Sequence, residues 1–232
     1  VISLYKSLGS RFYVLLMSGE IVISVIFVEA FIVAVCLLII PLILVTRKIQ
    51  KPNVSQVVYF LGVGAGFMFV ELYFIKSFIL LVGDPIISFT MVVSVILIFT
   101  SMGGLWVQNK SGQNIRPAMA ALIGMLILTV VSFELLAAHI LKVSAALRYL
   151  IAILFLLPVG FLMGLPFPLG MRHILNSPVQ RAYAWSVNGC ASVLSSVIAA
   201  QVAVSFGIPL IAAGAVLTYL LALMAAGKGT QG

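Results

Sequence analysis

The stretch VSQVVYFLGVGAGFMFVELYFIKSFILLVGDPIISFTMVVSVILIFTSMGGLWV, residues 54–107, decides the fold. It holds two apolar runs with Gly83-Asp84-Pro85 between them. Each run exceeds the roughly 20 residues that a helix needs to cross a bilayer. Glu71, Lys76 and Asp84 are its only charged residues. Gly83 and Pro85 mark a turn, and Asp84 has the side chain to cap the helix that follows. A proline in a first turn loses no hydrogen bond, because the N–H there has no partner within the helix. The short alternating segments of a membrane β-barrel are absent. The stretch therefore reads as a helical hairpin in a membrane.

The same pattern extends in both directions. Of 232 residues, 63% are hydrophobic and 8% are charged, whereas a soluble domain carries roughly 25% charged residues. Spans are expected at 21–46, 54–82, 86–107, 117–141, 146–165, 182–206 and 209–226. The class is all-α, a polytopic transmembrane helical bundle of about seven spans over 21–226. Residues 1–20, with Lys6, Arg11, Tyr5, Phe12 and Tyr13, read as interfacial or as the end of a missing segment. Residues 227–232 form a polar tail. Segment 54–82 is long for one crossing, so it either tilts or leaves an interfacial piece after Lys76. The breaker-rich stretch from Pro158 to Gly170 interrupts the fifth helix: it either ends that helix at the interface or leaves a broken helix of the kind that lines cavities. No loop has room for a soluble domain. Residue 1 is Val and no leader pattern precedes the spans, which is expected of a processed chain or a segment of a longer one.

The net charge of +8 would suggest nucleic acid in a soluble protein. Here the basic residues sit in short connections, where they set topology and meet anionic lipid. Alternate span ends carry Arg47, Lys48, Lys51, Lys110, Arg116, Arg172, Arg181 and Lys228, against Lys6, Arg11, Lys76, Lys142 and Arg148 at the opposite ends. The richer side should be cytoplasmic, with the N-terminus outside and the C-terminus inside.

Gly62, Gly64 and Gly66 lie in GVGAGF, part of a dinucleotide-binding glycine pattern, but that motif needs a strand before it and a soluble helix after it. Within a span, Gly62 and Gly66 are a small-xxx-small step that admits a neighbouring helix. Gly160 and Gly164 make another. Ala184, Asn188, Ser192, Ser196 and Ala200 make a third face, where Asn188 could add an interhelical hydrogen bond. Glu29, Glu71 and Glu134 fall inside spans, where a carboxylate costs a few kcal/mol and normally faces the bundle interior. Lys76, Lys142 and Arg148 are their possible charge partners. Glu71 and Glu134 are expected at similar depth and could meet, either sharing a proton or pairing with a base. Glu71 and Lys76, five apart, do not face each other. His139 and His173 fall on opposite membrane faces, so no haem, metal site or other cofactor is expected. Cys36 and Cys190 read as small packing residues.

Residues 66–104 and 161–172 (FLMGLPFPLGMR), with AYAWSVNGCASVLSSVIAAQVAVSFG at 182–207, occur in an order that resembles the C-terminal membrane region of bacterial spermidine synthase-like polytopic proteins. The shared elements are a Gly-Phe-Met followed by Glu, the Gly-x-Pro turn, Met-Gly-x-Pro-Phe-Pro and Trp-x-x-Asn-Gly-x-x-Ser-Val. The resemblance implies a bacterial inner-membrane protein. In that family the helices are often joined to an aminopropyltransferase-like domain that binds decarboxylated S-adenosylmethionine. No residues here match that domain's glycine motif or acidic loop, so no catalytic residue carries over.

Three expectations follow. The first is a non-catalytic membrane module that packs with other membrane subunits. The second is a carrier or channel for a small cation, amine or proton, using the intramembrane carboxylates. The third is the membrane part of an aminopropyltransferase-like enzyme.

Overall fold

The computed structural model describes residues 53–109, 112 and 114–228, together with positions 25, 26, 28, 29, 31–33 and 36. The expected interfacial segment 1–20 and most of the expected span 21–46 lie outside the described residues, as does the end of the polar tail. From Asn53 onward the described residues form seven helices: α1 Val54–Val82, α2 Pro85–Asn109, α3 Ile115–Ile140, α4 Ala145–Met163, α5 Pro166–His173, α6 Pro178–Phe206 and α7 Ile208–Lys228. The described residues contain no strand. Among the described residues six segments are long and apolar enough to cross a membrane, α4 and α5 together forming one of them. The protein is an all-α transmembrane bundle.

Local chemistry sets the helix ends. The Asn53 side chain accepts from the Ser55 N–H at 3.3 Å while Gln56 Oε1 accepts from the Asn53 N–H at 3.1 Å, a reciprocal cap on α1. At its far end Gly83 takes φ 84°, a conformation costly for any side chain, and its N–H bonds to the Ile79 carbonyl. Asp84 Oδ1 then accepts from the Ile86 and Ile87 N–H groups at 2.8 and 3.0 Å, as the turn composition predicts. α1 continues through Lys76 to Val82 without a break. Its 29 residues span about 43 Å at 1.5 Å each.

The stretch from Pro158 to Gly170 takes the second of its two expected forms. α4 keeps Pro158 inside it and stops at Met163; the chain then restarts as α5 with Pro166 in its first turn. A proline at a helix start sacrifices no bond, so this segment is a broken helix rather than a terminated one. Tyr59 donates its hydroxyl to the Pro166 carbonyl at 2.6 Å, and Gln56 Nε2 donates to the Ile174 carbonyl at 2.9 Å. These two bonds lock α5 against the start of α1.

α1 is the central helix, packed along α6 and α7, while α2 packs along α4. Glycine makes both approaches close. A Cβ on Gly62 would stand 2.7 Å from the Thr218 carbonyl and 2.9 Å from Ala222; one on Gly66 would meet the Tyr219 ring at 2.8 Å. Gly103 and Gly164 let α2 and α4 touch through the Phe161 and Thr100 carbonyls, and Thr100 donates to the Gly160 carbonyl at 3.0 Å. The outward faces of α2, α3 and α4 carry Ile98, Leu128 and Leu154, each more than half exposed. Such surfaces suit hydrocarbon.

Candidate functional site

Glu71 and Glu134 are the acids that α1 and α3 carry inside their spans. Glu71 is buried, with 8% of its surface exposed. It stands seven residues beyond Gly64, close to two full turns, and so shares that glycine's side of α1. Gly64 abuts the Asn188 carbonyl and Ala191 of α6; Glu71 accordingly faces the α6 side. Tyr73 is two positions later, about 200° around the helix. Its hydroxyl lies beside Ser77 and Glu134, yet it is buried and meets hydrogen-bond geometry with neither. The structure thus brings Glu134 to Tyr73 and Ser77 rather than to Glu71.

Glu134 and Ser77 border an opening of about 480 Å³ between α1, α3 and the α6–α7 turn. Leu80, Leu81, Leu141 and Pro209 supply apolar walls, and the Phe78 and Phe133 rings pack 5.5 Å apart behind it. Glu134 is exposed rather than turned into the bundle interior, and with the Ser77 hydroxyl in an apolar surround it could hold a cation or a proton; the Tyr73 hydroxyl is buried behind them. Sequence reasoning alone does not single out Tyr73 and Ser77. Their spacing of four residues inside an apolar span was the available signal.

Arg148 directs its guanidinium to backbone. Nε donates to the Val143 carbonyl at 3.0 Å, Nη2 to Leu141 at 2.6 Å and Nη1 to Leu81 at 3.4 Å. It ties the end of α1 to the α3–α4 turn. Lys76, half-buried, and Lys142, exposed, make no ion pair or side-chain hydrogen bond among the described residues. Glu29 is exposed at a helical position. His139 and His173 are exposed, and no cluster of metal-ligating residues occurs among the described residues.

The packing residues sort by helix rotation. Gly62 and Gly66 meet α7, Gly160 meets Ile96 and Phe99, and Gly164 meets Thr100 and Gly104. Ser192 donates to the Gly64 carbonyl at 3.2 Å, making the interhelical bond of this face. The Asn188 amide oxygen is buried without a hydrogen bond. Ser196 bonds within its own helix, to the Val193 carbonyl at 2.8 Å. A four-residue spacing drifts about 40° per step on a 3.6-residue helix. The stripe from Ala184 therefore turns out of the interface, and Ser195 and Ala199 are the buried residues there instead.

No family model, curated protein or solved structure matches the chain.

Proposed function

We propose that this chain is a non-catalytic membrane module that packs, through the outer face of α6, against another membrane-spanning segment. One observation carries the reading. Exposed Ala182, Gly189 and Val193 and half-exposed Ser186 and Ser196 share one side of α6 and are small or short, with Trp185 at its edge, and a Cβ on Gly189 would meet nothing within 4 Å. The outer faces of α2, α3 and α4 instead bear Leu and Ile. The Ser186 and Ser196 hydroxyls bond to carbonyls of α6 itself, so the gain on docking is close backbone approach, the usual source of helix association in lipid. The resemblance to the membrane region of spermidine synthase-like proteins supports a module that works beside another domain or subunit. The basic end of the bundle is read as cytoplasmic, in a bacterial inner membrane.

The test is purification from the native membrane, comparing Gly189→Leu with the unaltered chain. The variant should lose its co-purifying membrane polypeptide while the thermal unfolding of the bundle is unchanged. Retention of the partner would overturn the reading.

A second reading, a carrier for a small cation, amine or proton, draws on the opening beside Glu134 and Tyr73. Reconstituted Glu134→Gln protein should then lose amine or proton flux with its assembly intact. Equal flux in variant and parent chain would dismiss it.

A further inference from the structure

At the opposite end of the bundle from Glu134, a cleft of about 720 Å³ opens between α2, α5 and the first turns of α6. Its polar rim is Gln108, Arg172 and Arg181. Arg172 stands in the last turn of α5 and Arg181 at the fourth position of α6. The first turn of α6 holds no acid, although a helix N-terminus favours negative charge. Arg181 adds a full positive charge beside that terminus. Among the described residues no carboxylate lines the cleft, and Asp84 caps α2 at the bundle's other end.

Away from the rim the walls become apolar. Leu105 lies on one side, with Phe167 and Met171 on the other. Gly104 leaves the floor bare: a Cβ there would come no closer than 3.8 Å to the Gly164 carbonyl. Ser101 and Gln108, both in the lining, are seven residues apart on α2, so the cleft runs about 10 Å along that helix. Trp185 is 62% exposed, its ring 4.6 Å from Phe167 and edge-on to it. An amphipathic indole of this kind is characteristic of the membrane–water boundary. The cleft therefore has a cationic mouth at headgroup level and an apolar channel leading toward the hydrocarbon.

We infer that this cleft between α2, α5 and α6 is a binding site for an anionic phospholipid, with the phosphate at Arg172 and Arg181 and an acyl chain along Leu105 and Phe167. The charge selects an anion, and the apolar channel selects one that carries a chain. A basic pocket between membrane helices is a known form of such recognition. The site borders the outer α6 contact at Trp185 and adds a ligand to the bundle beside it.

Trp106 and Trp185 are the chain's two tryptophans, so Trp106→Phe leaves Trp185 as a single reporter beside the mouth. The full chain with this change is purified in detergent, stripped of lipid and reconstituted with brominated phosphatidylglycerol or brominated phosphatidylcholine. Phosphatidylglycerol should quench Trp185 at lower mole fraction. Each arginine is worth about fivefold in preference, roughly 25-fold for the pair. Arg172→Gln with Arg181→Gln should abolish the preference, and Arg172→Lys with Arg181→Lys should keep most of it. If the double glutamine variant does not fold, Arg181→Gln alone should reduce the preference about fivefold. Equal quenching by the two lipids, or a preference that survives both glutamines, would overturn the inference. Inorganic phosphate that displaces phosphatidylglycerol at equal concentration would do so as well, by showing a site for a soluble anion.

Discussion

Glu71 and Tyr73, two positions apart on α1, point to opposite sides of that helix. Tyr73 looks toward Ser77 and Glu134, while Glu71 shares the side where Gly64 meets Asn188 and Ala191 of α6. The body of α1 therefore stands between Glu71 and Glu134.

Glu71→Gln and Glu134→Gln are accordingly expected to act independently. Substitutions without shared partners usually add within about 0.5 kcal/mol. Unfolding of the two single variants and the double variant in detergent measures the coupling. A coupling above about 1 kcal/mol would mean that the two carboxyls interact after all.

The glycine contacts of α1 give a graded expectation. A methyl on Gly64 would run into the Asn188 carbonyl, a backbone atom that cannot turn aside, and the Gly66 position is closed by the buried Tyr219 ring. Gly64→Ala and Gly66→Leu should each lower stability by about 1–3 kcal/mol, the usual cost of overpacking. Gly124, with nothing within 4 Å of a Cβ, should accept alanine without loss. Thermal unfolding of the three variants in one detergent gives the ranking.

Arg148→Gln should loosen the end that holds Glu134. Three carbonyls lose a charged donor, and such hydrogen bonds are each worth about 1.5–3 kcal/mol when well buried. Arg148 is only half-buried, so about 1–3 kcal/mol in total is expected. Hydrogen exchange should rise at residues 141–144 and at the end of α1 more than elsewhere. Uniform change across the bundle would contradict a local tie.

Orientation can be read by labelling single cysteines in a background of Cys36→Ser and Cys190→Ala. Gly112 has φ 87°, strained for any side chain, so Asn114→Cys is the better reporter for that end; it is exposed. Ser144→Cys, also exposed, reports the other end. In intact cells Ser144→Cys should react with an impermeant maleimide, and Asn114→Cys should react only after permeabilisation. The reverse pattern would invert the topology.

What the sequence by itself determined is mostly local. The apolar runs set six described spans near their expected ends, because a bilayer demands length and apolarity from contiguous residues. Asp84, Pro85 and Gly83 form the expected turn, since capping involves neighbours in the chain. The close approaches at Gly62, Gly66, Gly160 and Gly164 were legible from spacing on one helix face. Only the tertiary structure decided which helix each face meets, and hence that Glu134 lies beside Tyr73, that Arg148 holds carbonyls, and that Ser196 turns outward. The rotation of one apolar helix against another depends on contacts between distant segments, and in spans that are apolar on every side no hydrophobic stripe announces it. The cleft at Arg172 and Arg181 was hidden for the same reason. Its walls come from α2, α5 and α6, and the Pro166 carbonyl at the start of α5 accepts from Tyr59, more than a hundred residues earlier in the chain.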